Sequence, residues 1–516
     1  MINRSDVEIV KGNGLFSSYF ISKGLEYYLR PPKFQKMCPV NTHKVYSILN
    51  KAMADGVKIG LVPDCDFDGL ASPKAWDLAF KKLKYYNYVV DTLKARIHTV
   101  QAETLLSLYE RGCRIIMLLD SSSNSLPMIK EVLGECEDLQ IIIIDHHETL
   151  NTYKSFPDRC TIVNPKLDKD SPLATLSAGM LNAMVADYLL FRKGFKDNTE
   201  LYVGGYASTY SDICPCGNPF IVDLMRSMQG LSKVPDYIQL FFDNYNKGLS
   251  SNFISFKVAP IINAAIRMER FELLDKLFFH FEDIRDPSGF LRELQQVKKD
   301  ADDLVSASME MILGEMRSDG TPKHYIQSKN LIVVFLPNEN LKNFAGYIAG
   351  KIANLFNNIC ICVRPTEFGY RGSVRDFYGR DIKSAIDGTV KKAEGHGPAF
   401  GIELYDGQVE STCTLLDNID LPKPIKYYDF KYEELLSNTE LREMALYNEL
   451  AVSDLPKARV SFTVDASFVI SNTGKRKTAK IKDLVLVSFD QKILRGTTVK
   501  AVPVFNNGNV ECKLEE

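Results

Sequence analysis

The chain has 516 residues, 45% of them hydrophobic and 25% charged, with a formal net charge of −2. This length implies two to four domains, and the composition excludes a disordered or fibrous chain. The near-zero charge excludes a generally basic nucleic-acid binder, so any such surface is local, and apolar runs as short as Ile141 to Ile144 exclude a membrane span.

The opening Met1-Ile2-Asn3-Arg4-Ser5-Asp6 carries no secretion signal. Three apolar runs follow and share one ending. Val57 to Val62 stops at Pro63-Asp64, Ile115 to Leu119 at Asp120, and Ile141 to Ile144 at Asp145-His146-His147. Such runs read as strands buried on both faces, and stretches with helical spacing lie between them, Ser72 to Leu83 and Ala102 to Arg111. Strand and helix in alternation imply right-handed crossovers and a parallel sheet. Leu176 to Phe191 reads as a helix, and Leu201-Tyr202-Val203 leads through small residues to Asp212. A charged helix over 290–317 is stopped by Ser318-Asp319-Gly320-Thr321-Pro322. Leu331 to Leu336 and Ile359 to Val363 flank the helical Phe344 to Phe356, a second α/β unit. From about 456 the pattern alternates with turns, as in a small β module. The eleven cysteines follow no framework; Cys214/Cys216 and Cys360/Cys362 each lack the second half of a zinc site, so they read as isolated thiols of a cytoplasmic protein.

In a parallel sheet the residues just after each strand gather along one edge, where open α/β sheets bind ligands. That edge collects Asp64, Asp66, Asp68, Asp120, Asp145, His146 and His147. Carboxylates with imidazoles suit Mn²⁺, Mg²⁺ or Zn²⁺. Two such ions would neutralise the crowded acids and activate water against a phosphoryl centre, so phosphoester hydrolysis follows more naturally than redox or acyl chemistry. Asp64-Cys65-Asp66-Phe67-Asp68-Gly69 also opens like a calcium loop, but Ala75 stands at its twelfth position and a strand precedes it.

These motifs resemble those of the DHH phosphoesterases. Asp64-Cys65-Asp66-Phe67-Asp68-Gly69 is similar to the first motif, Asp120 to the second, Asp145-His146-His147 to the third, and Tyr206 to Asp212 to the fourth. The resemblance implies one ion held by Asp68, Asp120, His146 and Asp212 and another by Asp66 and Asp120, with His147 facing substrate and Asp64 and Asp145 in support. Val62 stands where the family often has His, and Ser122 where the second motif usually has Gly. Val163-Asn164-Pro165, Leu176 to Gly179, Phe256 to Ala264 and Gly346 to Ala353 resemble RecJ-type exonucleases in their order. Gly372-Ser373-Val374-Arg375 and Gly395 to Gly401, preceded by Glu394 in place of Gly, complete that resemblance over about 57–404. It implies substrate contacts from Asn263, Arg267, Gly372, Ser373, Arg375, Gly395, His396 and Gly397, with Ser373 and Arg375 recognising a 5′ end. Between 371 and 392, six basic residues face three acidic ones.

The expected architecture is α/β: a parallel-sheet DHH domain with an N-terminal extension (1–270), a helical linker (271–322), a DHHA1-like substrate-binding domain (323–425), and a helical connector with a C-terminal β module that is a candidate OB fold (426–516). That last module is basic, with Lys475-Arg476-Lys477 at a turn and Phe462, Phe468, Phe489 and Phe505 read as core. The resemblance implies a monomeric 5′-to-3′ single-stranded DNA exonuclease of repair and recombination, working with two Mn²⁺ or Mg²⁺ ions beside single-strand-binding or replication partners. The rivals are another DHH phosphoesterase (a nanoRNase, a cyclic-dinucleotide phosphodiesterase or a polyphosphatase) and a non-catalytic RecJ-like replication scaffold.

Overall fold

The computed structural model describes residues 8–11, 38–91, 93, 100–149, 156–168, 170–214, 216, 219–244, 246–418, 425–431, 438–451, 457–474, 476–481, 484–489, 491–506 and 509–514. Lys475 and the side chains of His396 and Phe505 lie outside the described residues.

After strand β1 (Glu8–Lys11) and helix α1 (Thr42–Ala54), the chain alternates: β2 (Ile59–Pro63), α2 (Phe67–Lys82), β3 (Tyr88–Val90), α3 (Ala102–Glu110), β4 (Ile115–Leu119), α4 (Leu126–Glu135), β5 (Gln140–Ile144) and β6 (Cys160–Val163). Among the described residues the strands form one five-stranded sheet, ordered β3-β2-β4-β5-β6 and parallel throughout. Every residue of β2 and β4 is buried, as the continuous apolar runs require. Ile116, Leu118, Ile141 and Ile143 pack with Leu105 and Leu108 of α3 and Ile129, Val132 and Leu133 of α4. The other face meets α5 (Ala178–Arg192), and α2 packs against both α5 and α6 (Thr199–Ser211). From Leu201 to Tyr210 every residue of α6 is buried, so this helix has no polar face. Helices α7 (Ala259–Arg267), α8 (Phe271–Phe279) and α9 (Pro287–Gly314) follow.

The chain divides into two compact units, one mainly Gln295–Lys426 and the other Ile9–Leu294 with Tyr427–Glu516. The first of these holds β7 (Tyr325–Gln327), β8 (Leu331–Phe335), α10 (Ala345–Phe356), β9 (Ile359–Thr366), β10 (Gly369–Asp376), β11 (Lys392–His396) and β12 (Ala399–Leu404). Its described strands form a six-stranded sheet, ordered β11-β12-β10-β9-β8-β7, in which only the β8/β9 pair is parallel. Val374, Phe400 and Ile402 fill its core with Ile382, Ile386 and Leu416.

Residues from Ile425 onward add β13 (Ile425–Lys431), α11 (Asn438–Leu450), β14 (Lys457–Thr463), β15 (Val469–Ser471), β16 (Lys477–Ile481), β17 (Leu484–Ser488), β18 (Thr498–Asn506) and β19 (Asn509–Leu514). With β1 they make an eight-stranded sheet among the described residues, ordered β1-β13-β14-β18-β19-β17-β16-β15. It exceeds the module read from 456 onward because β13 and β1 are recruited from outside that stretch, and β14 to β19 alone outnumber the five strands of an OB fold. Phe462 and Phe468 are core, but Phe489 is 48% exposed, against expectation. Helix α11 fixes this sheet to the parallel-sheet domain. Its Asn448 amide donates to the carbonyls of Ala458 and Pro503, each at 2.9 Å, while the Tyr210 hydroxyl donates to the Glu449 carbonyl at 2.7 Å. Among the described residues no helix is long and apolar enough to cross a membrane.

Candidate functional site

Strand register builds the site. Pro63 pairs with Leu119, Leu119 with Ile144, and Ile144 with Val163, so the next residues, Asp64, Asp120, Asp145 and Asn164, stand in a row across four strands. Asp66 caps α2 and accepts from Gly69 N at 2.8 Å, which places Asp68 in the first helical turn. The Asp68 carboxylate meets the start of α5, accepting from Ala178 N at 2.8 Å and Gly179 N at 2.6 Å. Helix N-termini stabilise negative charge in this way. Gly179 leaves room for it: a Cβ there would lie 2.9 Å from Asp68 Oδ1.

Asp212 follows the last residue of α6, and His146 gathers the separate pieces. Its Nδ1 donates to the Leu176 carbonyl at 2.9 Å, which fixes the ring and turns Nε2 toward the acids. That Nε2 lies 3.5 Å from Asp120 Oδ1 and 3.7 Å from both Asp68 Oδ2 and Asp212 Oδ2. These separations exceed hydrogen-bond range and suit atoms sharing a cation at about 2.1 Å each. Asp64, Asp66 and Asp120 form a second close set, each offering an oxygen within 4.8 Å of the others.

Burial first, then the neighbouring Asp212 and Asp66 charges, push the Asp68 carboxyl up to about 8 against the Gly179 hydrogen bond. Asp120 is driven up by burial and by Asp68, Asp66, Asp64 and Asp145. Asp120 Oδ1 is buried and receives no hydrogen bond from the described residues. A buried carboxylate oxygen without a donor is costly, and a divalent cation among these acids would remove that cost. The donor set fits such an ion.

Asp145 behaves oppositely. Burial raises it, but His147, His146 and Ser123 outweigh burial and hold it well below the carboxylate range. It accepts from His146 N, His147 N and His147 Nδ1 at 2.8, 3.2 and 2.8 Å, and from Ser123 N at 3.0 Å. Burial lowers His147, yet Asp145, Asp64 and Asp212 raise it to about 10, leaving a part-exposed cation beside the cluster. Asn164 ties the two loops, donating to Ser123 Oγ and to the His147 carbonyl at 2.9 Å each.

Two features escaped the sequence. Cys214, read there as an isolated thiol, places its Sγ 3.1 Å from Asp212 Oδ2 and within the His146–Asp212 set. Burial, Asp212 and Asp68 push that thiol well up. Backbone strain is the second: Asp120, Ser122 and Ile213 have φ of 68°, 78° and 55°, a left-handed conformation costly for non-glycine residues.

In the other unit, Ser373 and Arg375 alternate on one face of β10, opposite Cys362 and Cys360. A Cβ at Gly346, in the first turn of α10, would lie 2.7 Å from Arg375 Nη2 and 3.4 Å from Ser373 Oγ. Hydroxyl, guanidinium and helix N-terminus therefore converge, a combination suited to phosphate. Gly372 is required by packing, since a Cβ there would strike the β9 backbone, 2.7 Å from Val363 Cα. Gly395 has φ 127°, and Gly397 lies against Asp381. The positive stretch is locally neutralised: Arg371 and Lys391 pair with Glu403, Arg380 with Asp376, and Lys392 with Glu394. Asn263 and Arg267 sit half-buried, four residues apart on α7, a helix that packs against α2.

No family model matches the sequence. It is 22% identical over 470 residues to the single-stranded-DNA-specific exonuclease RecJ of Escherichia coli (strain K12), covering 84% of this chain and 75% of that protein. It is 20% identical over 400 residues to the RecJ exonuclease of Dickeya dadantii (strain 3937), covering 70% and 66%. The fold matches RecJ of Thermus thermophilus, crystallised in complex with Mn²⁺, at a TM-score of 0.70 and 16% identity, over 96% of this chain and 74% of that one.

This chain is RecJ-like in sequence and in fold. The RecJ-like fold extends through both sheet-bearing units and the C-terminal sheet.

Proposed function

We propose that this chain is a divalent-metal-dependent exonuclease that degrades single-stranded DNA from its 5′ end. One observation carries the reading: the buried His146 Nε2 faces carboxylate oxygens of Asp68, Asp120 and Asp212 at 3.5–3.7 Å, beside an undonated Asp120 oxygen. Asp68, Asp120, His146 and Asp212 would hold one Mn²⁺ or Mg²⁺, and Asp64, Asp66 and Asp120 a second. When bound, such ions neutralise phosphoryl oxygens and activate water for in-line attack.

The chain's own groups do the rest. Leu176 fixes the His146 ring, and Gly179 N and Ala178 N orient Asp68. Asp145 holds His147 charged, and His147 would contact a phosphate oxygen. Ser373, Arg375 and the α10 N-terminus would take the terminal 5′ phosphate. Lys513 Nζ lies over the rings of Phe256 and Phe489, at 5.1 and 6.0 Å, and both rings are substantially exposed. Aromatic faces with a cation suit stacked bases of a single strand. The reading places the protein in the cytoplasm, in repair or recombination, without requiring a protein partner.

The test is digestion of oligonucleotides labelled at either end, single- or double-stranded, with and without a 5′ phosphate, in Mn²⁺ and in chelator. Chelator-sensitive release of 5′ label from single strands is expected. Equal digestion of duplex, or activity that survives both chelation and Asp120→Asn, refutes the proposal.

A further inference from the structure

We propose that Cys214 is a thiolate donor to the ion held by His146 and Asp212, so that this centre takes thiophilic divalent ions such as Zn²⁺ and Co²⁺ with one sulfur ligand. The inference rests on the metal-centre reading above and concerns which ions that centre selects.

The sulfur belongs to the cluster by position. Cys214 is 2% exposed, its Sγ is 3.1 Å from Asp212 Oδ2, and donor atoms of His146, Asp212 and Cys214 lie within 4.8 Å of one another. The backbone is bent at this point. Ile213, between the two donors, has φ 55°, a region that a β-branched residue enters only when its surroundings enforce it. The neighbouring Asp120 Oδ1 is buried without a hydrogen bond from the described residues, an acceptor that a cation in this cluster would satisfy. An apolar side chain would fill the space occupied by Cys214; a thiol adds a donor of different hardness.

Carboxylate and imidazole donors alone suit Mn²⁺ and Mg²⁺, whereas thiolate favours softer ions. When the ion enters, the Cys214 S–H bond breaks, the sulfur–metal bond forms and the proton leaves to solvent, with no change in oxidation state. Asp212 then exchanges its hydrogen bond from sulfur for a shared cation.

The experiment compares the full chain with Cys214→Val and Cys214→Ser by ion titration and by absorption of the Co²⁺-loaded proteins. Wild-type protein should show a near-ultraviolet sulfur-to-cobalt charge-transfer band that both variants lose. Zn²⁺ affinity should fall at least about tenfold in Cys214→Val, while Mn²⁺ affinity changes less than about twofold. If Mn²⁺ binds but the band is missing from wild type, or Zn²⁺ affinity is the same in Cys214→Val, the sulfur proposal is overturned and the metal centre stands. If folded wild type binds neither Mn²⁺ nor Co²⁺, both readings fall together.

Discussion

Gly179→Ala separates this site from an ordinary helix start. Replacing Gly by Ala within a helix usually stabilises it by up to about 1 kcal/mol. Here the new methyl would sit 2.9 Å from Asp68 Oδ1 and 3.0 Å from Ser208 Cβ, with Ser208 Oγ nearer still. Carbon contacts are comfortable from about 3.5 Å, and forcing a methyl into a packed interior costs about 1–3 kcal/mol. Relief would come chiefly by moving Asp68, at the expense of its bonds from Ala178 N and Gly179 N, each worth about 0.5–1.5 kcal/mol while the carboxyl is protonated. The substitution should therefore destabilise the protein by about 1–3 kcal/mol and weaken Mn²⁺ binding at least tenfold. Ser208→Ala in the same chain should recover part of the stability by removing the nearest atom. Urea melts and calorimetric Mn²⁺ titration measure both quantities. A Gly179→Ala protein that is more stable than wild type and binds Mn²⁺ normally would refute the proposed geometry around Asp68.

Three further outcomes are expected. Asp68 ionises near 3.8 in an unfolded chain but is raised to about 8 here, and His147 is raised from 6.5 to about 10. Between pH 6.5 and 8 the metal-free folded protein thus holds more protons than the unfolded chain, and its stability should fall as pH rises; melts in chelator should show this, and saturating Mn²⁺ should reverse the trend. Ser122→Gly should stabilise the protein by about 1 kcal/mol by relieving the positive φ without altering Mn²⁺ affinity, since the serine hydroxyl is no ligand; denaturant midpoints decide it. Arg375→Lys should weaken binding of a 5′-phosphorylated strand by about tenfold relative to a 5′-hydroxyl strand, because lysine keeps the charge but loses the planar fork; equal losses on both strands would remove the phosphate role.

The row of strand-end carboxylates was readable because parallel strands buried on both faces are written as unbroken apolar runs, and each run stops at an acid. The start of α2 was hidden: Pro73 lies inside the helix, so the helical pattern is plain only from Ser72, although the helix begins at Phe67. Helix α6 carries no amphipathic signal, because it is enclosed on every side, so the path to Asp212 was visible only as small residues. Cys214 was overlooked because metal-site spacing was sought along the chain, whereas its companions include His146, 68 residues earlier. The eight-stranded sheet was underestimated because β1 and β13 come from outside the stretch with alternating pattern.

The split of one compact unit between Ile9–Leu294 and Tyr427–Glu516 governs the order of events on the ribosome. The intervening unit is fully synthesised while its sequence neighbour still lacks α11, whose Glu449 carbonyl accepts from the Tyr210 hydroxyl on the helix leading to Asp212. A nascent chain halted before that helix would have its acids but not their support, so hydrolytic competence would arrive only near the end of translation.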